Sequence, residues 1–156
     1  MIVLEAIPQS WFSQVFNVLE NGVVVAQINP SGWREKGVLS VGDSNYHASS
    51  EGWIRDQFLL SLNTKHIAVA ERAGGWLSPV FDVKYGDELD KLTSSWFKSS
   101  YTIQRNGQEI GSITPTGILA RRVTARFPDD LPRPVQIFII WVTNILRARS
   151  ADVSVF

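Results

Sequence analysis

The chain has 156 residues with 15 basic and 15 acidic side chains, which fits one domain with a substantial core and leaves no net charge to advertise nucleic acid or an acidic substrate as partner. Cysteine is absent, excluding disulfide scaffolds, thiolate metal sites and cysteine nucleophiles together. The charge is unevenly spread: seven bases meet eleven acids through Trp96, and eight bases meet four acids from Phe97 onward, so the two parts have opposite signs and can attract each other.

The chain opens on Met1-Ile2-Val3-Leu4-Glu5-Ala6-Ile7-Pro8, a strand pattern from Ile2 to Ala6 without the basic leader and long apolar core of a secretory signal. The expected location is therefore cytoplasmic, at most peripheral to a membrane. Gln14 to Leu19 and Val23 to Ile28 read as strands around Asn21-Gly22, a strong short-range signal for a β-hairpin. Gly37 to Val41 and Asn45 to Ala48 follow, separated by a Gly42-Asp43 turn. Glu51 to Asp56 reads as a loop. Strand character resumes at Gln57 to Leu62 and His66 to Arg72 around Asn63-Thr64-Lys65, then at Val80 to Tyr85, while Gly86 to Leu92 fits a polar hairpin tip or a short helix equally well.

A repeat then emerges. Residues 16–32 align without gaps onto residues 101–117, an offset of 85, with Asn21-Gly22 on Asn106-Gly107, Val18 on Ile103, Ile28 on Ile113, Pro30 on Pro115 and Gly32 on Gly117. That spacing is too long for a solenoid and suits two related hairpins in one sheet system within a single domain over residues 1–156. Ile118 to Phe127 continues as strand, Pro128 to Pro132 stops it, and Asp152 to Phe156 alternates as a last short strand would.

Between them lies the most apolar stretch, Pro134 to Leu146. On a helix from about Arg133 to Arg149, Val135, Phe138, Ile139, Val142 and Leu146 cover one face, Ile137, Trp141 and Ile145 the other, and Ile140 lies beside a narrow polar stripe of Gln136, Thr143 and Arg147. A helix apolar nearly all round must be buried nearly all round. Its apolar run is too short for the roughly 20 residues a bilayer requires, so no transmembrane span is expected. At 1.5 Å per residue the helix would be about 25 Å long, close to the ~20 Å of a six-residue strand, and can thread a barrel of short strands. Arg147 and Arg149 suit its C-terminal end, where Arg149→Ala is expected to matter little.

The order of these features resembles the tubby C-terminal-like superfamily, which includes the LURP-one-related proteins and the phospholipid scramblases. The resemblance rests on the short-strand meander, the repeated strand-Asn-Gly-strand unit, Asp130-Leu131-Pro132 and the aromatic terminal helix around Phe138 and Trp141. It spans essentially the whole chain. It implies a closed barrel of about twelve short, largely antiparallel strands around a buried hydrophobic C-terminal helix. It also implies a non-enzymatic binding domain for an anionic membrane lipid or a protein partner, with no cofactor. The cysteine-rich and proline-rich flanks of scramblases are missing, and no phosphoinositide-contacting base of the tubby proteins aligns with a position here.

Candidate sites are few. His47 and His66 lie far apart with no ligand spacing around them, so no metal site is read. No Gly-x-Ser-x-Gly elbow, P-loop or dinucleotide fingerprint occurs, and no acid, base or nucleophile has a partner that would mark a catalytic residue. Asp82, Asp87, Glu88 and Asp90 read as a solvated loop rather than a calcium loop. The six tryptophans are scattered as core filling or loop anchors rather than as a nucleic-acid stacking platform. What remains is a basic group, Lys98, Arg105, Arg121, Arg122 and Arg126, with Arg122 and Arg126 on one strand face and Arg121 directed away from it. Such a patch suits lipid head groups; the plainer reading is that these bases solvate the barrel and pair with the acidic first part. Two other readings are a helix that anchors the protein in a membrane interface, and an enzyme with a pocket at a barrel mouth.

Overall fold

Alternation of apolar and polar residues with period two yields twelve strands, each burying one face. They are β1 (Ile2–Pro8), β2 (Phe16–Glu20), β3 (Val23–Pro30), β4 (Lys36–Val41), β5 (Ser44–Glu51) and β6 (Gln57–Leu62), then β7 (Lys65–Arg72), β8 (Val80–Tyr85), β9 (Glu88–Ser94), β10 (Tyr101–Arg105), β11 (Gln108–Thr116) and β12 (Arg122–Phe127). One helix, α1 (Arg133–Ser154), follows. This computed structural model describes residues 1–11, 13–31, 35–51, 56–75, 78–95, 100–116 and 121–154, with side chains as far as residue 150.

Each strand pairs antiparallel with the next, and β1 pairs with β12 through Leu4↔Ala125, so the sheet closes into a barrel. The Asn-Gly turns supply the backbone that hairpins require: Asn21 and Asn106 have φ of 51° and 52°, and Gly22 and Gly107 both have 79°. The two aligned hairpins also share a β-bulge, between Val18 and Leu19 and between Ile103 and Gln104. Gly86 to Leu92 is resolved as a hairpin, with β9 starting at Glu88 directly after the Gly86-Asp87 turn.

The helix is the core. Every residue from Val135 to Thr143 is buried, and Leu146 closes the same surface, with Ile145 partly buried against it. Room for it comes from small inward residues: Ala6, Ala26, Gly37, Ala48, Ala68, Ala70 and Ala125. Into that space Trp141 sets its ring edge-on to Phe58, 5.7 Å between centroids at 86°, and stacks on Phe138 at 6.2 Å. At about 1.5 to 3 kcal/mol per fully buried large apolar side chain, this interior dominates the stability of the fold.

Ion pairs pin both ends of the helix. Arg133 meets Glu20 at 2.6 Å at one barrel end. At the other, Arg149 donates to both carboxylate oxygens of Glu35 at 2.6 and 2.5 Å and to Asp56 at 3.1 Å, and Arg72 grips the same Asp56 at 2.7 Å. Four of the eight ion pairs among the described residues join a base after Phe97 to an acid before it, as the opposed charges of the two parts lead one to expect. Two readings need correction. The helix runs past Arg149 to Ser154, so Asp152 to Ser154 is helix rather than strand, because no proline or glycine interrupts the good helix formers after Leu146. Consequently Arg149 does not sit at the helix end; it ties the helix to the barrel wall.

Candidate functional site

The structure separates the basic candidates. Lys98, like Trp33, Trp53, Trp76 and Trp96, lies outside the described residues. Arg105 closes β10 beside the Asn106-Gly107 turn, at the end where the helix begins. Arg121 and Arg122 stand at the opposite end, where β12 starts, and Arg126 lies four residues along β12, about 13 Å at strand rise.

Arg105 is engaged within the fold. Its Nε donates to Asp90 Oδ1 at 2.8 Å, one terminal nitrogen to Asp130 at 2.7 Å, and the other to the Tyr85 hydroxyl at 2.8 Å and Asp90 Oδ2 at 3.1 Å. Tyr85 in turn donates to Asp90 Oδ2 at 2.7 Å. Burial, with the neighbouring Asp90 carboxylate, pushes the Tyr85 hydroxyl far above its ordinary pKa, and the carboxylates raise that of Arg105. Asp90 is fully buried, which corrects its reading as part of a solvated loop. The parity of β9 explains it: Leu92 faces the core, so Asp90 must share that face, while Leu89 is turned outward and is 44% exposed. Period-two counting back from Leu92 was the available signal. The arrangement is a largely buried network that locks the segment before the helix to the barrel wall, and it uses four of the five Arg105 N–H groups within the fold.

Arg121 is likewise held, donating to the carbonyl oxygens of Trp11, at 2.6 Å, and of Ser13, with its guanidinium 5.7 Å from the Phe16 ring centroid. It turns away from the outer face of β12, as its position next to Arg122 requires. Arg122 and Arg126 do share that outer face and are exposed. Among the described residues neither makes an ion pair or a side-chain hydrogen bond. On the β11 side their neighbours are hydroxyl-bearing, with Arg122 facing Thr116, Arg126 facing Ser112, and Thr114 and Thr124 paired between them; on the β1 side the exposed Val3 faces Arg126 and the exposed Glu5 faces Thr124. Trp11, held by Arg121 one residue from Arg122, is 69% exposed. An exposed guanidinium beside a row of hydroxyls can bind a phosphate group.

The histidines are closer than their sequence positions imply. His47 and His66 face Ser61 from opposite sides, on one outward row spanning β5 to β7. Two strand spacings leave their backbones about 10 Å apart. Among the described residues no group of three or more histidine, aspartate or glutamate side chains is placed to hold a metal ion.

The hairpin around Asn63-Thr64-Lys65 proves to be a third copy of the repeated unit. Phe58, Leu60 and Asn63 occupy the places of Phe16, Val18 and Asn21 and of Tyr101, Ile103 and Asn106, with a bulge between Leu60 and Ser61 and a φ of 58° at Asn63. Thr64 standing where the other two copies have glycine hid the kinship. Comparison with known protein families, with curated proteins and with solved structures gives no match to this chain.

Proposed function

We propose that this chain is a non-enzymatic binding domain of the tubby-like type that engages anionic phospholipid head groups through the outer face of β12. One observation carries the proposal: Arg122 and Arg126 are exposed on one face and unpaired among the described residues, whereas Arg105, Arg121, Arg133 and Arg149 all have partners in the fold. The twelve-stranded closed barrel around a buried helix supports the tubby-like reading. The burial of Val135 to Thr143 favours a barrel-surface contact over an anchoring helix, since the apolar faces an anchor would use are taken up by the core. No helix among the described residues is long and apolar enough to cross a membrane.

Near an anionic surface each base contributes about 1 kcal/mol, so each arginine removed lowers affinity about fivefold. The test is cosedimentation with phosphatidylcholine vesicles, with and without phosphatidylserine, over a salt series. Binding is expected only with phosphatidylserine, is expected to fall with salt, and is expected to drop in Arg122→Ala and again in Arg122→Ala/Arg126→Ala. Absence of binding, or binding that ignores lipid charge, sinks the proposal. Capture by a protein partner with no vesicle binding would turn the same face over to a protein ligand.

A further inference from the structure

The outer face that carries Arg122 and Arg126 also carries an acid. Strands β1, β11 and β12 hold four charged side chains between them, namely Glu5, Glu109, Arg122 and Arg126. Glu109 lies beside the Asn106-Gly107 turn and faces Gln104 on β10. The other three share one outward patch, and all three are exposed.

Their order follows from the register. Glu5 faces Thr124, which stands between Arg122 and Arg126 on β12, and Val3, two residues before Glu5, faces Arg126. Period two along both strands turns Val3, Glu5, Arg122, Thr124 and Arg126 outward, while Leu4, Ala6, Val123 and Ala125 point to the core. Glu5 is therefore the diagonal neighbour of both arginines, with about 7–8 Å between α-carbons in each case. Along the strands the patch runs plus, minus, plus. Thr114 faces Thr124 from β11 and adds a second hydroxyl at its centre. Among the described residues Glu5 makes no ion pair or side-chain hydrogen bond, as neither arginine does, and on its other side it faces Leu19 of β2, which brings no cation.

An acid between two bases works against a ligand that is anionic throughout, because its repulsion cancels part of what the arginines contribute. It favours a ligand whose own charges alternate. The phosphoserine head group has that order: a phosphodiester, an ammonium and a carboxylate, on a skeleton short enough for the ammonium to lie between the two anions. Guanidinium forks match the paired oxygens of phosphate and of carboxylate. An ammonium brings three donors, which the Glu5 carboxylate and the Thr124 hydroxyl can accept. The arginine α-carbons stand about 13 Å apart along β12, so their long side chains can close from both ends on a head group seated over Thr124.

Resting on the head-group reading above, we infer that Arg122, Glu5 and Arg126 form a site selective for phosphatidylserine among anionic lipids. The arginines take its phosphate and its carboxylate, and Glu5 takes its ammonium. Glu5 is the residue that sets phosphatidylserine apart from anionic lipids that lack an amine.

The experiment compares cosedimentation of the full chain with phosphatidylcholine vesicles containing equal mole fractions of either phosphatidylserine or phosphatidylglycerol, which carry the same net charge while only the first has an amine. The parent is expected to bind phosphatidylserine about two- to fivefold more tightly, the range of one exposed ion pair. Glu5→Gln is expected to bind phosphatidylglycerol more tightly than the parent does and to gain nothing on phosphatidylserine, so the preference disappears with an unchanged far-UV circular dichroism spectrum. A gain of equal size on both lipids makes Glu5 a repulsive bystander and overturns the inference. So does a preference that survives in Glu5→Gln, which would belong to other residues. Equal binding of the parent to the two lipids, or a preference for phosphatidylglycerol, overturns the inference without any variant and leaves the head-group reading intact. No sedimentation with either lipid overturns both.

Discussion

Gly37 and Trp141 are partners: a β-carbon built on Gly37 would stand 3.0 Å from the indole Nε1 and 3.0 Å from the Asn29 carbonyl oxygen. The indole cannot retreat, because Phe58 lies at its edge and Phe138 on its face. Gly37→Ala is therefore expected to destabilise. Overpacking of this kind costs about 1 to 3 kcal/mol, more than the 0.4 to about 1 kcal/mol that a stiffer unfolded chain returns. A urea midpoint that rises in Gly37→Ala would contradict the contact.

The helix interior sets a harsher test. Ile140 is fully buried, and Ile140→Asp would place a carboxylate in the core without a partner. Loss of soluble expression is the expected outcome, and a well-folded variant by circular dichroism would refute the central role of the helix.

For the Asp90–Arg105 pair, the sign of the effect depends on which groups remain. Arg105→Leu leaves Asp90 buried and uncompensated, with an expected cost of about 3 to 5 kcal/mol. Asp90→Leu combined with Arg105→Leu removes both charges and is expected to recover much of that loss. Additive losses in a chemical-denaturation double-mutant cycle would show that the two side chains act independently.

Alkaline pH should unfold the protein early. Burial raises the hydroxyl pKa values of both Tyr85 and Tyr101. Above the unfolded value of about 10, the unfolded chain sheds protons that the folded barrel keeps, so stability is intact below that pH and falls as pH rises further. The slope is about 1.4 kcal/mol per pH unit for each tyrosine. Denaturation midpoints measured from pH 8 to pH 11 are expected to bend downward near pH 10, less steeply in Tyr101→Phe. A flat profile would rule out buried neutral tyrosines.

Arg149 makes a bidentate pair with Glu35 and reaches Asp56 and Ser50. Charge-assisted bonds at a half-buried site are each worth about 1.5 to 3 kcal/mol. Arg149→Ala is expected to lower stability by about that amount, against the small effect that its position near the end of the apolar run had suggested. Equal thermal midpoints for variant and parent would restore the simpler view.

Much of the architecture was legible because local chemistry and global position agree. Asn21-Gly22 and Asn106-Gly107 can do little but turn, and Val135 to Leu146 can only be enclosed. Reading failed where a residue's role depends on a distant partner. Asp90 looks like a solvated acid until Arg105, fifteen positions away, is seen to reach it, and Arg149 looks like a helix terminator until Glu35 appears across the barrel mouth. The hairpin around Asn63 was legible as strand, turn and strand, but its kinship with the other two was missed, since threonine stands where they have glycine. Of the basic candidates, Arg122 and Arg126 sharing one face followed from period-two counting alone, whereas the engagement of Arg105 and Arg121 needed the closed barrel.

Barrel closure has a temporal meaning. Eleven of the twelve strand pairings join neighbours in sequence and can form as local hairpins, but the seam between β1 and β12 links residues more than a hundred positions apart. The helix that fills the interior is made after every strand. During synthesis, therefore, a curved sheet with an apolar inner surface and two unpaired edges must wait for its last element, and that interval is when the chain is most exposed to aggregation. Charge opposition between the early and late parts of the sequence favours the late arrival of the right piece.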